Sequence, residues 1–509
     1  MPLKHCLTAL TVAVALFSAG CTVSDPVKPN IIIILADDLG YGDTGPYGQG
    51  KIETPNIDRL AESGMRFTRH YAGSPVCAPS RCVLLTGMHT GHSQIRGNDE
   101  WADRGDVWSY RAMIADPALE GQRPLSEGTV TLASILQKNG YITGAVGKWG
   151  LGAPYTGGAP DRQGFDFFYG INCQRMAHTY YPVHLWRNGT RVPLRNDTVP
   201  PHTGFEPGAD PYDQASYAKF NLTDYAPDLM FREMITFIDS CGDKPFFLYW
   251  ATPIPHLALQ APREWVKRYC EKFGDEEPYK GGDGYFPVRY PHATYAAMIS
   301  YLDDQVGNLV GHLKELGLYE KTLILFTSDN GPAWNAGTDP VWFGSAEPLR
   351  GERGYGKASV NEGGIRVPMI ASWPGVIEEG SVSDHISAFW DVMPTLCEIT
   401  GAEIPPGTDG ISFLPELMGK NQRQHDYLYW EFPEYGGQQA VMIGNMKAIR
   451  KQMHNGNEVF ELYNLDADLR ETNDIASENP EIIARVKEII RKEHITSPNP
   501  RWRFSVLDE

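Results

Sequence analysis

The chain has 509 residues, 42% hydrophobic and 21% charged, which is enough for one large domain or a large domain with a small appendage. A formal net charge of −18, with no basic run, speaks against nucleic-acid binding. Eight scattered cysteines without a CxxC pair indicate neither a disulfide framework nor a thiolate zinc site.

Lys4, the apolar run 7–17 and the small residues Ser18-Ala19-Gly20 form an address rather than a fold. The run is too short to span a membrane comfortably. Residues 1–20 read as an export signal, and Cys21 follows where a bacterial lipoprotein would be lipidated. Ser18 stands where a leucine is usual, so plain secretion with an incidental Cys21 is the alternative. Residues 21–29 would link the anchor to the fold, and the protein would face the periplasm or the cell exterior.

Four apolar runs, 30–36, 141–146, 245–251 and 322–327, read as strands buried on both faces of a sheet. Each ends in polar residues: Asp37-Asp38, Lys148, His256 and Asp329-Asn330. Sites in such sheets form beyond the carboxyl ends of the strands, so one shared site is expected there. Residues 295–316 carry apolar positions three and four apart and predict a helix stopped by Gly317, with Asp303 and Asp304 on its solvated face. Residues 97–128, 153–217 and 262–292 read as long loops that could line a substrate. Beyond Gln422, runs 427–432, 440–450 and 459–465 read as short antiparallel strands and 480–491 as a closing helix. The expectation is an α/β domain over 30–422, with a large mostly parallel sheet sandwiched by helices. A small α+β subdomain over 423–509 would follow.

The segment Cys77-Ala78-Pro79-Ser80-Arg81, followed by Leu84-Leu85-Thr86-Gly87, resembles the signature of the formylglycine-dependent sulfatases, on the alkaline phosphatase scaffold. Further matching segments are Asp37-Asp38, Gly147-Lys148-Trp149, Pro255-His256, Asp329-Asn330-Gly331 and Lys357 with 362–368. Glu461-Leu462-Tyr463-Asn464-Leu465 matches the family's C-terminal motif, so the resemblance runs nearly to the end. It implies that a maturation enzyme oxidises Cys77 to an aldehyde. One hydroxyl of the hydrated aldehyde would attack sulfur, and the other would later expel sulfate. Pro79 and Ser80 fit the first turn of a helix, which puts Cys77 at a helix N-terminus that favours negative charge.

Asp37, Asp38, Asp329 and Asn330 offer only oxygen, which suits Ca²⁺ or Mg²⁺ over zinc. The resemblance selects Ca²⁺, with the oxidised Cys77 beside it. Arg81 would steady the nucleophile, Lys148 and Lys357 would neutralise the transferring sulfate, and His256 would protonate the leaving alcohol. With calcium and these three cations against three carboxylates, the pocket would carry about +2. Each cation about 4 Å from a sulfate oxygen contributes on the order of 4 kcal/mol at an effective dielectric near 20.

Gly150 departs from the family, which often has a histidine two residues after the first lysine. His178 and His184 are the candidates to replace it, with His178 carried as a catalytic residue. The stretch Arg350 to Gly356 is longer than usual, which loosens the register of Lys357. Segments 164–175 and 177–186 resemble bacterial carbohydrate sulfatases, and Trp101, Trp108 and Trp186 could stack on sugars. A sulfated saccharide, galactose-type among the options, is the expected substrate. The alternatives are a broad arylsulfatase, a phosphomonoesterase or phosphodiesterase on the same scaffold, and a non-catalytic glycan-binding lipoprotein.

Overall fold

The computed structural model describes residues 28–508, so the export and lipidation expectations on residues 1–21 lie outside the described residues. The run NIIIILA forms β1 (Asn30–Ala36), buried throughout. Its odd and even residues face opposite cores: Ile32 and Ile34 pack on one side, Ile31, Ile33 and Leu35 on the other. Each such buried side chain contributes roughly 1.5–3 kcal/mol, so β1 anchors both layers at once.

The other strands of the large sheet are β2 (Met65–Tyr71), β3 (Ile142–Lys148), β4 (Phe167–Ile171), β5 (His184–Arg187) and β6 (Thr190–Pro193). They continue with β7 (Phe246–Ala251), β8 (Thr322–Ser328), β9 (Arg366–Ser372), β10 (Ser381–Ser383) and β11 (Ser387–Ala388). The order is β10-β2-β9-β8-β1-β7-β3-β4-β5-β6, with β11 against β2. The centre β8-β1-β7-β3-β4 is parallel; antiparallel pairs enter where β9 meets its neighbours and where β5 and β6 extend the sheet. All four predicted strands lie in the parallel centre and deliver their polar ends to one edge.

All three predicted loops contain regular structure. Residues 97–128 contain the short helix Tyr110–Ala115, residues 153–217 supply β4, β5 and β6, and residues 262–292 contain the helix Arg263–Phe273. Strands β5 and β6 are short and half-polar, a pattern that edge strands share with loops. The predicted helix spans Pro291–Glu315, and Gly317 follows it with φ +65°. Asp303 is not on a solvated face. It is buried and accepts the backbone N–H groups of Asn56 and Ile57, capping the helix Pro55–Glu62 from a distance in sequence. No helix of the described residues is long and apolar enough to cross a membrane.

A second, antiparallel sheet follows: β12 (Leu428–Phe432), β13 (Gln438–Ile443), β14 (Met446–Lys451) and β15 (Glu461–Asn464). The run 440–450 is therefore a hairpin, not one strand. Tyr429, Val441 and Leu462 meet Val486, Ile489 and Ile490 of the helix Pro480–Glu493. The opposite face sends Leu428, Trp430 and Phe432 into the core of the large domain, and Trp430 Nε1 donates to the Ala72 carbonyl at 2.9 Å.

Imidazole–carboxylate pairs stitch this seam. His92 Nδ1 lies 2.8 Å from Asp409, its Nε2 lies 3.4 Å from Glu493, and His425 Nε2 is 2.9 Å from Asp391. Burial lowers the pKa of both histidines, but Asp409 and Glu493 outweigh it at His92, and Asp391 outweighs it at His425; both end above the ordinary value. A histidine raised on folding stabilises fully below its unfolded pKa near 6.5 and loses that contribution as pH rises through the folded pKa. Thermal stability should therefore fall with rising pH in the window that opens near pH 6.5. His425→Gln should flatten that slope. A melting temperature independent of pH in this window would show that the pairs stay neutral.

Candidate active site

The parallel register brings the site together. Ala36 is opposite Ser328, so Asp37-Asp38 and Asp329-Asn330 leave adjacent strands side by side. The Asp329 N–H donates to Ala36 O and the Asp37 N–H to Ile254 O, each at 3.0 Å, fixing the three strand ends. Asp38 adopts φ +66°, a left-handed conformation that aspartate tolerates better than most residues. After Asn330 the chain passes so close to Gly363 that a Cβ at Gly331 would lie 1.8 Å from its carbonyl oxygen, which explains the glycine.

Cys77 begins the helix Cys77–Thr86 and is fully buried. Its Sγ lies 3.3 Å from Asp37 Oδ1, 3.4 Å from Lys148 Nζ and 3.9 Å from Lys357 Nζ. Lys148 donates to Asp37 Oδ2 at 2.5 Å, and Lys357 donates to Asp38 Oδ2 at 2.6 Å. The register of Lys357 is thus compatible with the site despite the long approach. One turn along the Cys77 helix, Arg81 donates through Nε and Nη2 to Asp329 Oδ2 at 3.0 and 2.9 Å, and its Nη2 lies 3.2 Å from Asp37. Three carboxylates and three cations are interleaved with almost no water access.

The electrostatics follow from that density. Burial, and then Asp37, push the Cys77 thiol well above its usual range in spite of the two lysines. An unmodified Cys77 is a neutral thiol and a poor nucleophile. Burial opposes charge on Asp37, but Lys148, His256 and Arg81 overcome it and hold this carboxyl below the usual carboxylate range. Burial likewise disfavours the Lys148 ammonium, and Asp37 reverses the shift.

The set also fits a hard cation. Asp37 and Asp38 converge with Cys77 and His256, and Asn330 beside Asp38 has its Oδ1 buried without a hydrogen-bond partner. Its Nδ2 donates to Asp38 Oδ1 and to Gly331 O, which leaves Oδ1 as a fixed, unused donor of the kind a cation takes up.

His256 is buried, with Nε2 3.7 Å from Asp38 Oδ2 and Nδ1 against the Leu257 carbonyl. Burial, then Lys148 and Lys357, push its pKa well down. His178 stacks on His256 at 5.6 Å between ring centroids and lies tilted against Tyr285 at 4.9 Å, so it joins the site. Its pKa is also well down, by burial and then His256. His184 does not join: its Nε2 lies 2.9 Å from Glu120, which also binds Trp186 and Arg191. Gly150 has φ +82°, and a Cβ there would lie 2.9 Å from Gln122 Oε1 and 3.7 Å from Gln174 Nε2. Two glutamines thus fill the space a histidine would need.

Sequence reasoning missed Asn98, whose Oδ1 accepts the Ala78 N–H at 3.0 Å and Gln174 Nε2 at 2.9 Å, and Tyr285 beside the two histidines. Both lie in irregular segments without a periodic or motif signal. Of the three tryptophans considered for sugar stacking, Trp186 is buried packing and Trp101 is partly covered by Arg104; Trp108 is 62% exposed.

The family profile described as Sulfatase matches residues 29–402, and that described as N-sulphoglucosamine sulphohydrolase, C-terminal, matches 351–495. The chain is 34% identical to arylsulfatase A of Homo sapiens over 457 residues, covering 85% of this chain and 76% of the relative. It is 31% identical to N-acetylgalactosamine-6-sulfatase of Rattus norvegicus over 446 residues, covering 86% and 73%. Among solved structures, Ps i-CgsB in complex with k-i-k-neocarrahexaose superposes with a TM-score of 0.71 at 27% identity, over 95% of each chain. With the motif residues gathered at one sheet edge, these matches assign the protein: it belongs to the sulfatase family and is a sulfuric ester hydrolase.

Proposed function

We propose that this sulfatase removes sulfate from a sulfated saccharide, with residue 77 as formylglycine and Ca²⁺ as its metal. The observation that carries the reading is the convergence of Asp37, Asp38, Cys77, Arg81, Lys148, His256, Asp329, Asn330 and Lys357 on one buried point. The saccharide preference is supported by the relative that acts on N-acetylgalactosamine-6-sulfate by name and by the oligosaccharide-bound neighbour. Export through residues 1–20 and lipidation at Cys21 rest on the sequence pattern of that segment.

Oxidised residue 77 supplies the nucleophilic hydroxyl of a hydrated aldehyde. Because Cys77 is fully buried, a maturation enzyme must reach it before this region folds. Asp37, Asp38, Asp329 and Asn330 would hold the calcium, whose divalent charge favours an ionised oxygen at residue 77 and an anionic substrate beside it. Arg81 reaches Asp329 and Asp37 together, and so fixes the orientation of both carboxylates toward residue 77. The Lys148 and Lys357 ammoniums lie within 3.9 Å of Sγ, which supports their neutralising sulfate oxygens during transfer. His256 would give its proton to the departing sugar oxygen. Its pKa is depressed in the substrate-free site, and the arriving sulfate supplies the negative charge that restores the imidazolium.

The test is chelation with parallel rates on a sulfated saccharide, an aryl sulfate and an aryl phosphate. EDTA should abolish sulfate hydrolysis, and Ca²⁺ should restore it and raise the melting temperature, since a ligand bound only to the folded state stabilises it. Full activity after exhaustive chelation, or faster phosphate than sulfate hydrolysis, would overturn the reading.

A further inference from the structure

We propose that Trp108, with Arg175 and Arg111, forms a second binding subsite for the sugar next to the one being desulfated, and that this neighbouring sugar carries its own anionic group. The inference rests on the saccharide reading above and narrows it from a monosaccharide to a multiply charged oligosaccharide.

The segment 174–178 runs along the site. At one end Gln174 Nε2 is 2.9 Å from Asn98 Oδ1, which also accepts the Ala78 N–H one residue from Cys77. At the other end His178 stacks on His256. Arg175 lies between these two anchors and directs its guanidinium over the Trp108 ring, 5.0 Å from the centroid. Trp108 also lines a groove of about 360 Å³ with Arg111, Pro200, His202 and Asp106. The Arg175–Trp108 contact thus links this groove to the segment that flanks the nucleophile and the leaving-group histidine.

The charge pattern points to an anion. Neighbouring arginines are engaged: Arg123 with Asp99, Arg191 with Glu120, Arg187 with Glu233, Arg195 with Asp224, and Arg104 with backbone carbonyls. Among the described residues, Arg175 and Arg111 have no ion pair and no side-chain hydrogen bond, and both sit at Trp108. Asp106 is the one carboxylate lining the groove; it faces the Arg111 guanidinium inside the groove, and the Arg175 guanidinium lies over the Trp108 ring. A chain of net charge −18 that leaves two adjacent arginines unpaired beside an exposed indole presents both halves of an acidic-sugar contact. The ring face away from Arg175 takes the sugar C–H surface, and the guanidiniums take a sulfate or carboxylate.

The experiment compares kcat and KM for three substrates: an oligosaccharide with sulfates on adjacent sugars, its singly sulfated monosaccharide and an aryl sulfate. Wild type, Trp108→Ala, Arg175→Gln and the double Arg175→Gln/Arg111→Gln are measured on each. The proposal expects KM for the oligosaccharide to rise about five- to thirty-fold in Trp108→Ala and in the arginine variants, with kcat within about two-fold. The salt dependence of that KM should shrink in the arginine variants only. KM for the two smaller substrates should stay within about two-fold. An unchanged oligosaccharide KM overturns the subsite while leaving the saccharide reading intact. Equal losses on all three substrates overturn it as well, by showing general damage. A wild type that hydrolyses the aryl sulfate and neither saccharide overturns both readings.

Discussion

Cys77→Ala is expected to reduce turnover of every sulfate ester to background, a loss of roughly 10⁴-fold or more, because the attacking atom itself is removed. The fold should survive. The side chain contributes one Sγ contact to Asp37 and two to lysines that already have carboxylate partners, so the melting temperature should shift little. Cys77→Ser separates the two hydroxyl roles. A serine has one hydroxyl and no second one to expel the sulfate, so it should at best accept a single equivalent and stop. Peptide mass analysis of active protein should find aldehyde in place of thiol at residue 77. Activity in protein whose Cys77 is wholly thiol would remove the formylglycine mechanism, and the raised pKa of that buried thiol makes a simple cysteine nucleophile a poor substitute.

His256→Ala should lose about 10²–10⁴-fold on a sugar sulfate and much less on a nitrophenyl sulfate. A sugar alkoxide leaves poorly without a proton, whereas a nitrophenolate leaves well. The expectation is sharpened by what surrounds His256. Gly150 carries no side chain, Gln122 and Gln174 occupy its space, and neither can donate a proton as an imidazolium does. His178 stacks on His256 and, among the described residues, is the one other imidazole brought into this site. If His178 serves the step that expels sulfate, His178→Ala should slow both substrates alike and accumulate sulfated enzyme. Equal losses on both substrates in His256→Ala would instead mark His256 as a sulfate-binding group.

Much of the site was legible in sequence because its residues sit immediately after apolar strands or at a helix start. A run such as NIIIILA can only be a strand covered on both faces, and a parallel sheet places all strand C-termini at one edge. Asp37-Asp38 and Asp329-Asn330 are therefore expected at one edge once 30–36 and 322–327 are strands, and the strand order then makes them neighbours. Cys77, Arg81 and Lys148 follow the same logic, since a helix turn or a strand end fixes each relative to a backbone whose course the pattern predicts.

Tertiary structure decided what pattern leaves open. Asp303 looked solvent-facing because helical periodicity cannot show that another helix start lies above it. Residues 153–217 looked like a loop because β5 and the edge strand β6 have only four residues each and weak alternation. Two histidines six residues apart, His178 and His184, were both candidates by sequence, with His178 carried as the catalytic one. From the 3-10 turn Met176–His178 one stacks on His256, and from β5 the other pairs with Glu120. The sequence by itself determined the chemistry, which depends on residue types held by local backbone. Only the folded chain determined which distant loops close over it, because those contacts depend on packing between segments that share no local signal.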